Sequence, residues 1–341
     1  MGKVLMLIKL LKKTGVGLVG LTLLMTIIAG IGSYLSLDSG FSHTKQTDTL
    51  PLYTQNSPFI DNPLLRIQAN GFEFRARVAG NTPEGPTVIL LHGFPATSAM
   101  WKPLIQVLAD DGYRVIAFDQ RGYSPGARPS DAAEYALSDL VSDVLAIADV
   151  LNAETFHLIG HDWGAAVGWA TVLEHPDRVL SWTALSIAHP QAFSDALQND
   201  PDQQSRSSYF TLFNTPIVPE VLFTFNGLAL LKSIYEGMDA ENIAEYLAVF
   251  SEPRALSSAL NWYRQMGNLS DKLTATPETS VPTLFVWGAN DAAVGRAAVL
   301  DQAQYMKGPY KIVETDGEHW LMTTHADAII PQVLGHVGSI E

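Results

Sequence analysis

An aspartate in a tight strand-to-helix turn is the residue whose position most directly suggests chemistry. Asp162 follows the apolar run at 156–159 and stands between Gly160 and Gly164, and a small-residue helical pattern follows at once. Glycines two positions either side of a central residue are typical of a nucleophile elbow. A carboxylate attacks an sp³ carbon that bears a leaving group and forms an alkyl ester, which indicates epoxides or alkyl halides as substrates. The alternative interpretation of Asp162 is a cap for the following helix.

An alkyl ester on Asp162 must then be hydrolysed, which requires a general base for water and an acid that orients the base. In the chain order nucleophile, acid, histidine, the candidates are Asp291 and His319. Asp291 ends the run at 283–291, and His319 follows the run at 310–315. Taken singly, Asp291 is typical of a turn residue and His319 of a surface histidine. Their joint placement after strands favours the catalytic interpretation.

Four further residues complete the predicted site. The backbone N–H groups of Phe94 and Trp163 are predicted to form an oxyanion hole for the attack of water on the ester. Opening an epoxide creates an alkoxide, and the neutral phenols of Tyr209 and Tyr263 could protonate it because tyrosine titrates near 10. Tyrosines in an aromatic-rich helix are often core residues, so this role requires both phenols to face Asp162.

Near-continuous apolar runs that alternate with helical patterns must position these residues. Such runs are typical of strands buried on both faces of a parallel sheet, and their alternation with helices predicts an α/β fold with helices on both faces of the sheet. The runs are 87–93, 113–119, 156–162, 179–187, 283–291 and 310–315. The segment between about 190 and 275 shows no strand pattern. We therefore predict a core of residues 66–189 and 276–341 and an inserted helical lid at 190–275, over the carboxyl ends of the strands where ligands bind.

Composition limits the function classes that remain. The net charge of −14 over 341 residues argues against a nucleic-acid partner. Because the chain has no cysteine, thiol catalysis and disulfides are excluded, and the nine histidines are scattered without a metal-binding motif. No metal and no cofactor are expected.

The first 37 residues differ from the rest of the chain. Four lysines precede an uncharged, largely apolar stretch from Thr14 to Leu37, which predicts a membrane anchor or a signal segment at residues 1–37. A linker at 38–65 would follow. The expected localisation is a membrane-anchored protein with its catalytic domain on the extracytoplasmic side, or a protein secreted after signal cleavage.

The motifs HGFP, GHDWG and GEHW, with a Trp-Gly pair before Asp291, resemble the epoxide hydrolase branch of the α/β-hydrolase superfamily. NWYR at 261–264 and the spacing of Tyr209, Phe213 and Pro216 resemble the lid tyrosine motifs of that branch. The resemblance covers roughly residues 66 to 341 and implies an α/β-hydrolase fold that converts a small apolar epoxide and water into a vicinal diol. The resemblance implies that Asp162 is the nucleophile, His319 the base for water and Asp291 the acid that orients this base. It also implies that the phenols of Tyr209 and Tyr263 bind the epoxide oxygen. The oxyanion donors would be Phe94 and Trp163.

Two other functions remain open. Haloalkane dehalogenases share the fold and the aspartate nucleophile, and they commonly hold the halide with the Trp after it and an Asn in the HGxP stretch. Phe94 replaces that Asn here, and the paired tyrosines favour an epoxide. A non-catalytic, membrane-anchored binding module is the other alternative, although a binder has no need of His319 and Asp291.

Overall fold

A mostly parallel sheet forms the centre of the computed structural model, which describes residues 32, 50–54, 64–80, 84–266 and 277–340. Within these ranges the sheet has eight strands in the order β1-β2-β4-β3-β5-β6-β7-β8. The strands are β1 Leu64–Ala69, β2 Phe72–Ala79, β3 Thr87–Leu91, β4 Arg114–Phe118, β5 Phe156–His161, β6 Val179–Leu185, β7 Thr283–Gly288 and β8 Tyr310–Thr315. β2 pairs antiparallel with β1 and β4, and the other pairs are parallel. The predicted fold class is confirmed.

The sequence pattern identified β3 to β8 but not β1 and β2. In β2, Arg75 and Arg77 interrupt the apolar pattern, yet both side chains are buried. Arg75 pairs with Asp119 at 2.6 Å, and Arg77 pairs with Glu245. A buried arginine is stable only when its charge is paired, and the partners lie far away in sequence. A hydropathy pattern therefore could not have found this strand.

The described residues also form α-helices, which pack against the sheet or form the lid. They are α1 Lys102–Asp110, α2 Leu137–Val150, α3 Trp163–Glu174, α4 Pro190–Asn199, α5 Pro201–Arg206, α6 Tyr209–Asn214, α7 Val218–Ile234, α8 Ala240–Phe250, α9 Ala255–Arg264, α10 Arg296–Asp301, α11 Leu321–Thr324 and α12 Ala326–Val337. Short 3₁₀ helices lie at Ser98–Trp101, Ala132–Tyr135, Pro176–Arg178 and Gln302–Tyr305. α2 packs beside α3, and α12 packs beside α1.

Helices α4 to α9 come between β6 and β7 and form the lid. Buried polar contacts tie it to the core. Arg128 pairs with Glu252 at 2.6 Å, and the indole N–H of Trp262 donates to the carbonyl oxygen of Arg121 at 2.9 Å. The lid therefore rests on the loop after β4. The exact bounds proposed for core, lid and linker stay a prediction.

The predicted localisation is wrong. In the part of the chain that the structure describes, no helix is long and apolar enough to cross a bilayer. The membrane anchor or signal segment at 1–37 and most of the 38–65 linker lie outside the described residues. Apolar length is necessary for a membrane span, but as a property of sequence alone it does not place a segment in a bilayer. The membrane partner inferred from the same segment is likewise not supported.

Candidate active site

The turn between β5 and α3 is built from glycines that admit no side chain. A Cβ on Gly160 would lie 2.5 Å from the carbonyl oxygen of Gly164, and a Cβ on Gly164 would lie 2.1 Å from that of Leu91. Asp162, at the centre, has φ 54°, a backbone conformation that residues with a side chain rarely adopt. This strained turn directs the carboxylate out of the end of the sheet.

Backbone donors hold the carboxylate of Asp162. Its Oδ1 accepts a hydrogen bond from the N–H of Phe94 at 2.8 Å, and the nearby N–H of Trp163 helps to lower the pKa of the carboxyl group. A Cβ on Gly93 would lie 2.4 Å from the carboxylate, so only glycine allows the loop after β3 to approach this closely. Both predicted oxyanion donors therefore lie on the predicted nucleophile.

His319 lies between two carboxylates. Its Nε2 is 3.6 Å from Oδ2 of Asp162, and its Nδ1 is 3.1 Å from both carboxylate oxygens of Asp291. Asp291 follows β7 and is fully buried, and its Oδ1 also accepts from the N–H groups of Ala293 at 2.7 Å and Val294 at 3.2 Å. The structure thus brings Asp162 together with two residues that follow it by more than a hundred positions in the sequence.

The charges of Asp162, Asp291 and His319 strongly shift one another's pKa values. Burial disfavours the imidazolium of His319, but Asp291 and Asp162 outweigh it and raise the pKa to about 10. Burial also disfavours the ionised carboxylates, yet His319 lowers the pKa of Asp291 to about 2 and that of Asp162 below its ordinary value. The resting site therefore holds two carboxylates and one imidazolium at neutral pH.

The two predicted tyrosines lie beside each other, with ring centroids 6.2 Å apart, in the same cavity wall as Asp162. Tyr263, in α9, packs edge-on against Trp163 with ring centroids 4.9 Å apart, and its hydroxyl interacts with that of Tyr209, in α6. Burial, followed by neighbouring phenol and carboxylate groups that include Asp162, raises the pKa of each phenol. Both phenols therefore stay protonated and can donate a hydrogen bond.

A cavity of about 200 Å³ opens beside these groups and is lined by Asp162, Trp163, Tyr209 and Tyr263. Its remaining wall is largely apolar. That wall consists of Leu137, Ala166, Ile187, Ala188, Pro190, Gln191, Phe193, Ser194, Leu197, Phe210, Met266 and Ala293. In the described residues, no group of three or more His, Asp or Glu side chains could hold a metal ion. The cavity suits a small apolar molecule with one polar atom near the phenols.

Sequence reasoning missed two buried residues at the site. Ser186, at the end of β6, donates a hydrogen bond to Oδ2 of Asp291 at 2.6 Å. His161, inside the GHDWG motif, has its Nε2 2.8 Å from the carbonyl oxygen of His319. The signal for Ser186 was present, because it ends a predicted parallel strand and the carboxyl ends of such strands converge. Nothing in the local sequence distinguishes His161 from a core histidine.

Comparisons with known proteins show which sequences this chain resembles. A profile of the family described as the alpha/beta hydrolase fold matches residues 86–214. Epoxide hydrolase A of Mycobacterium tuberculosis is 30% identical over 319 residues, which cover 81% of this chain and 97% of the relative. Epoxide hydrolase 4 of Mus musculus is 30% identical over 280 residues, covering 78% of this chain and 76% of the relative.

The solved structures give the same result. The crystal structure of epoxide hydrolase A from Mycobacterium thermoresistibile superposes with a TM-score of 0.68 at 26% sequence identity. The match covers 82% of this chain and 98% of that one.

Proposed function

Because this chain belongs to the epoxide hydrolases of the α/β-hydrolase fold, we propose that it opens an epoxide through an ester on Asp162 and releases a vicinal diol. The observation that carries this proposal is the division of the nucleophile's two oxygens. Oδ1 accepts a hydrogen bond from the backbone N–H of Phe94, whereas Oδ2 lies 3.6 Å from Nε2 of His319. Asp162 lines the cavity together with Tyr209 and Tyr263. One oxygen can become a carbonyl while the other forms a bond to carbon.

In the first step, Oδ2 of Asp162 bonds to a ring carbon of the epoxide. The ring C–O bond breaks, and its electron pair stays on the epoxide oxygen. Tyr209 and Tyr263 hydrogen-bond that oxygen and supply a proton to it, and the proton that His319 carries in the resting state replaces the one they lose. The products are a hydroxyalkyl ester on Asp162 and a neutral His319.

Ester formation itself prepares the base for the second step. In the resting site the carboxylates of Asp162 and Asp291 both stabilise the imidazolium of His319. The ester carries no charge, so one of these two carboxylates is lost and the pKa of His319 falls. The histidine is therefore neutral when water has to be activated.

In the second step His319 takes a proton from water, and the hydroxide adds to the ester carbonyl. The negative charge develops on Oδ1, which already accepts from the N–H of Phe94, and the N–H of Trp163 favours the charged form of this group as well. The bond between the carbonyl carbon and Oδ2 breaks, and the diol leaves with Oδ2 and with the second proton of the attacking water. Asp162 is again a carboxylate, and His319 is again protonated.

The substrate we propose is a small epoxide with an apolar substituent. Apart from the site residues, the cavity wall is mostly aliphatic and aromatic, and burial of that substituent would contribute about 25 cal/mol for each Å² removed from water. A haloalkane would need donors for a departing halide, and the phenol pair suits an oxygen that must gain a proton.

Replacing the base tests this proposal. With His319→Gln, ester formation can proceed but water is not activated, so the protein should gain the mass of one epoxide, and peptide mapping should place it on Asp162. Wild-type protein with the same aryl epoxide should release diol and accumulate little ester. No mass gain, together with halide release by the wild type from a haloalkane panel, would favour a dehalogenase instead.

A further inference from the structure

Ser186 occupies a strained and fully buried position directly after β6. Its φ is 75°, in the left-handed region that a serine rarely adopts, and its exposed fraction is 0%. Its N–H donates to the carbonyl oxygen of Val286 in β7 at 2.9 Å, which fixes the backbone against the strand that leads to Asp291. A strained conformation persists only where the surrounding structure holds it, and such positions cluster at functional sites.

The hydroxyl of Ser186 contacts two members of the proposed triad. It donates to Oδ2 of Asp291 at 2.6 Å, and its oxygen lies 3.0 Å from Nδ1 of His319. The backbone donors of the loop after β7 bond only Oδ1 of Asp291. Among the described residues, Ser186 is therefore the donor other than His319 that holds Oδ2.

The surroundings of His319 contain other charged and titratable groups. Asp162 lies on its Nε2 side, and the ring of His161 lies 4.7 Å from its own ring. From the lid, Arg206 donates to the carbonyl oxygen of Asp291, and the negative charge of the Asp291 carboxylate helps to raise the pKa of Tyr209. In the described part of the chain none of these groups donates a hydrogen bond to Oδ2 of Asp291, so none duplicates the contact of Ser186.

We propose that Ser186 is a positioning residue that sets the basicity of His319 by holding Oδ2 of Asp291. This inference rests on the proposed ester mechanism and concerns its second step. The donated hydrogen bond takes up part of the negative charge on Oδ2 and leaves less of it for the imidazolium. Without the hydroxyl, Oδ2 faces His319 alone, so the imidazolium is stabilised and the neutral base is less populated at a given pH.

Two variants at this position separate the hydroxyl from the backbone. Ser186→Ala removes the hydroxyl and keeps the strain, whereas Ser186→Gly removes the hydroxyl and relieves the strain. Ser181→Ala is the matched control, because Ser181 is a buried serine of β6, the strand that Ser186 follows. Its hydroxyl lies 2.8 Å from a different histidine, His157. Thermal unfolding of all three checks that they fold.

The experiment measures both steps of one turnover of an aryl epoxide by rapid quench and intact-protein mass, from pH 5 to pH 10. For Ser186→Ala and Ser186→Gly, we expect ester formation within about threefold of wild type and ester hydrolysis slower by about tenfold at neutral pH. The acidic limb of the hydrolysis rate should move to higher pH by roughly one unit in both variants, since a one-unit shift makes the neutral base tenfold less populated below the limb. Ser181→Ala should match wild type in both steps.

The outcomes distinguish this inference from the mechanism on which it rests. An unchanged acidic limb in both Ser186 variants would overturn the inference, even if the plateau rate fell, because a merely structural role slows hydrolysis without moving its pH dependence. An effect in Ser186→Ala that Ser186→Gly reverses would assign the role to the backbone and overturn it as well. Absence of any ester in the wild type and in His319→Gln alike would instead refute the proposed function.

Discussion

The sheet side and the lid side of the active site are held by different kinds of interaction. On the sheet side, backbone N–H groups bond the carboxylates of Asp162 and Asp291, and glycines leave room for these contacts. On the lid side, the phenol rings of Tyr209 and Tyr263 are held by neighbouring rings such as Phe213, whose centroid lies 5.1 and 5.0 Å from theirs.

This difference has an energetic meaning. A backbone donor is fixed by the chain itself and needs no further ordering, and in a buried site it stabilises developing charge efficiently. Ring contacts are adaptable, each worth about 0.5–1.5 kcal/mol beyond area burial. We therefore expect substitutions on the sheet side to abolish or misplace chemistry, and substitutions on the lid side to reduce it in graded steps.

Removal of the nucleophile should have the largest effect. Asp162→Ala should lower kcat/KM for an aryl epoxide by on the order of 10⁴-fold or more, because Asp162 supplies the carboxylate of the described cavity wall. Asp110→Ala is the matched control, since Asp110 is an exposed carboxylate on α1. Residual turnover within a hundredfold of wild type would show that water attacks the epoxide directly.

The two phenols should each matter less than the nucleophile and should share their task. Tyr209→Phe and Tyr263→Phe should each reduce the rate of ester formation by about 10- to 100-fold, because the remaining phenol still donates to the epoxide oxygen. The double variant should lose about 10²- to 10⁴-fold, the range for a general acid. Stopped-flow measurement of ester formation checks this, and a double variant as fast as either single one would exclude a shared role.

A single methyl group on the sheet side tests how little room the nucleophile has. Gly93→Ala places a Cβ 2.4 Å from the carboxylate of Asp162, so the side chain must move and the rate of ester formation should fall about 10²-fold. Gly335→Ala, in α12, meets nothing within 4 Å and should leave kcat/KM unchanged. Equal kinetics for the two variants would mean that the sheet side is as adaptable as the lid.

A change of pH near neutrality should alter the rate of ester formation less than any of the substitutions above. Ester formation needs Asp162 ionised and is assisted by the proton that His319 carries, and the pKa of His319 is raised to about 10. The rate should therefore be flat through neutral pH and fall as pH rises through about 10, by up to tenfold per unit. The phenols titrate higher still, so Tyr209→Phe should keep this limb and His319→Gln should lose it. If the rate of ester formation in the wild type fell near pH 7 instead, His319 would not be stabilised as an imidazolium by Asp162 and Asp291.

The same contrast explains what could be predicted from the sequence. The sheet-side residues Asp162, Asp291 and His319 follow apolar runs, and the geometry of a parallel sheet brings the ends of such runs together. Ser186 was missed because a serine carries no pattern of its own, although its place at the end of β6 follows the same rule. The sequence could propose Tyr209 and Tyr263 as proton donors but not the direction of their side chains, because helix packing in the lid sets it.

Other features depend on partners that are distant in sequence. β2 was missed because its arginines are neutralised by Asp119 and Glu245, which a local pattern cannot register. The membrane prediction failed for the opposite reason, since it rested on local apolarity alone. Local patterns were sufficient where the chain's own geometry forces residues together and insufficient where packing decides.

The most direct test of the ester mechanism follows oxygen through a single turnover. Excess wild-type protein is mixed with an aryl epoxide in heavy-oxygen water, and the first diol is analysed by mass. We expect ordinary oxygen in that diol, because Oδ2 of Asp162 leaves with it, and heavy oxygen only in later turnovers, after water has replaced the carboxylate oxygen. Heavy oxygen in the first diol would contradict an ester on Asp162 and leave the carboxylate with no nucleophilic role.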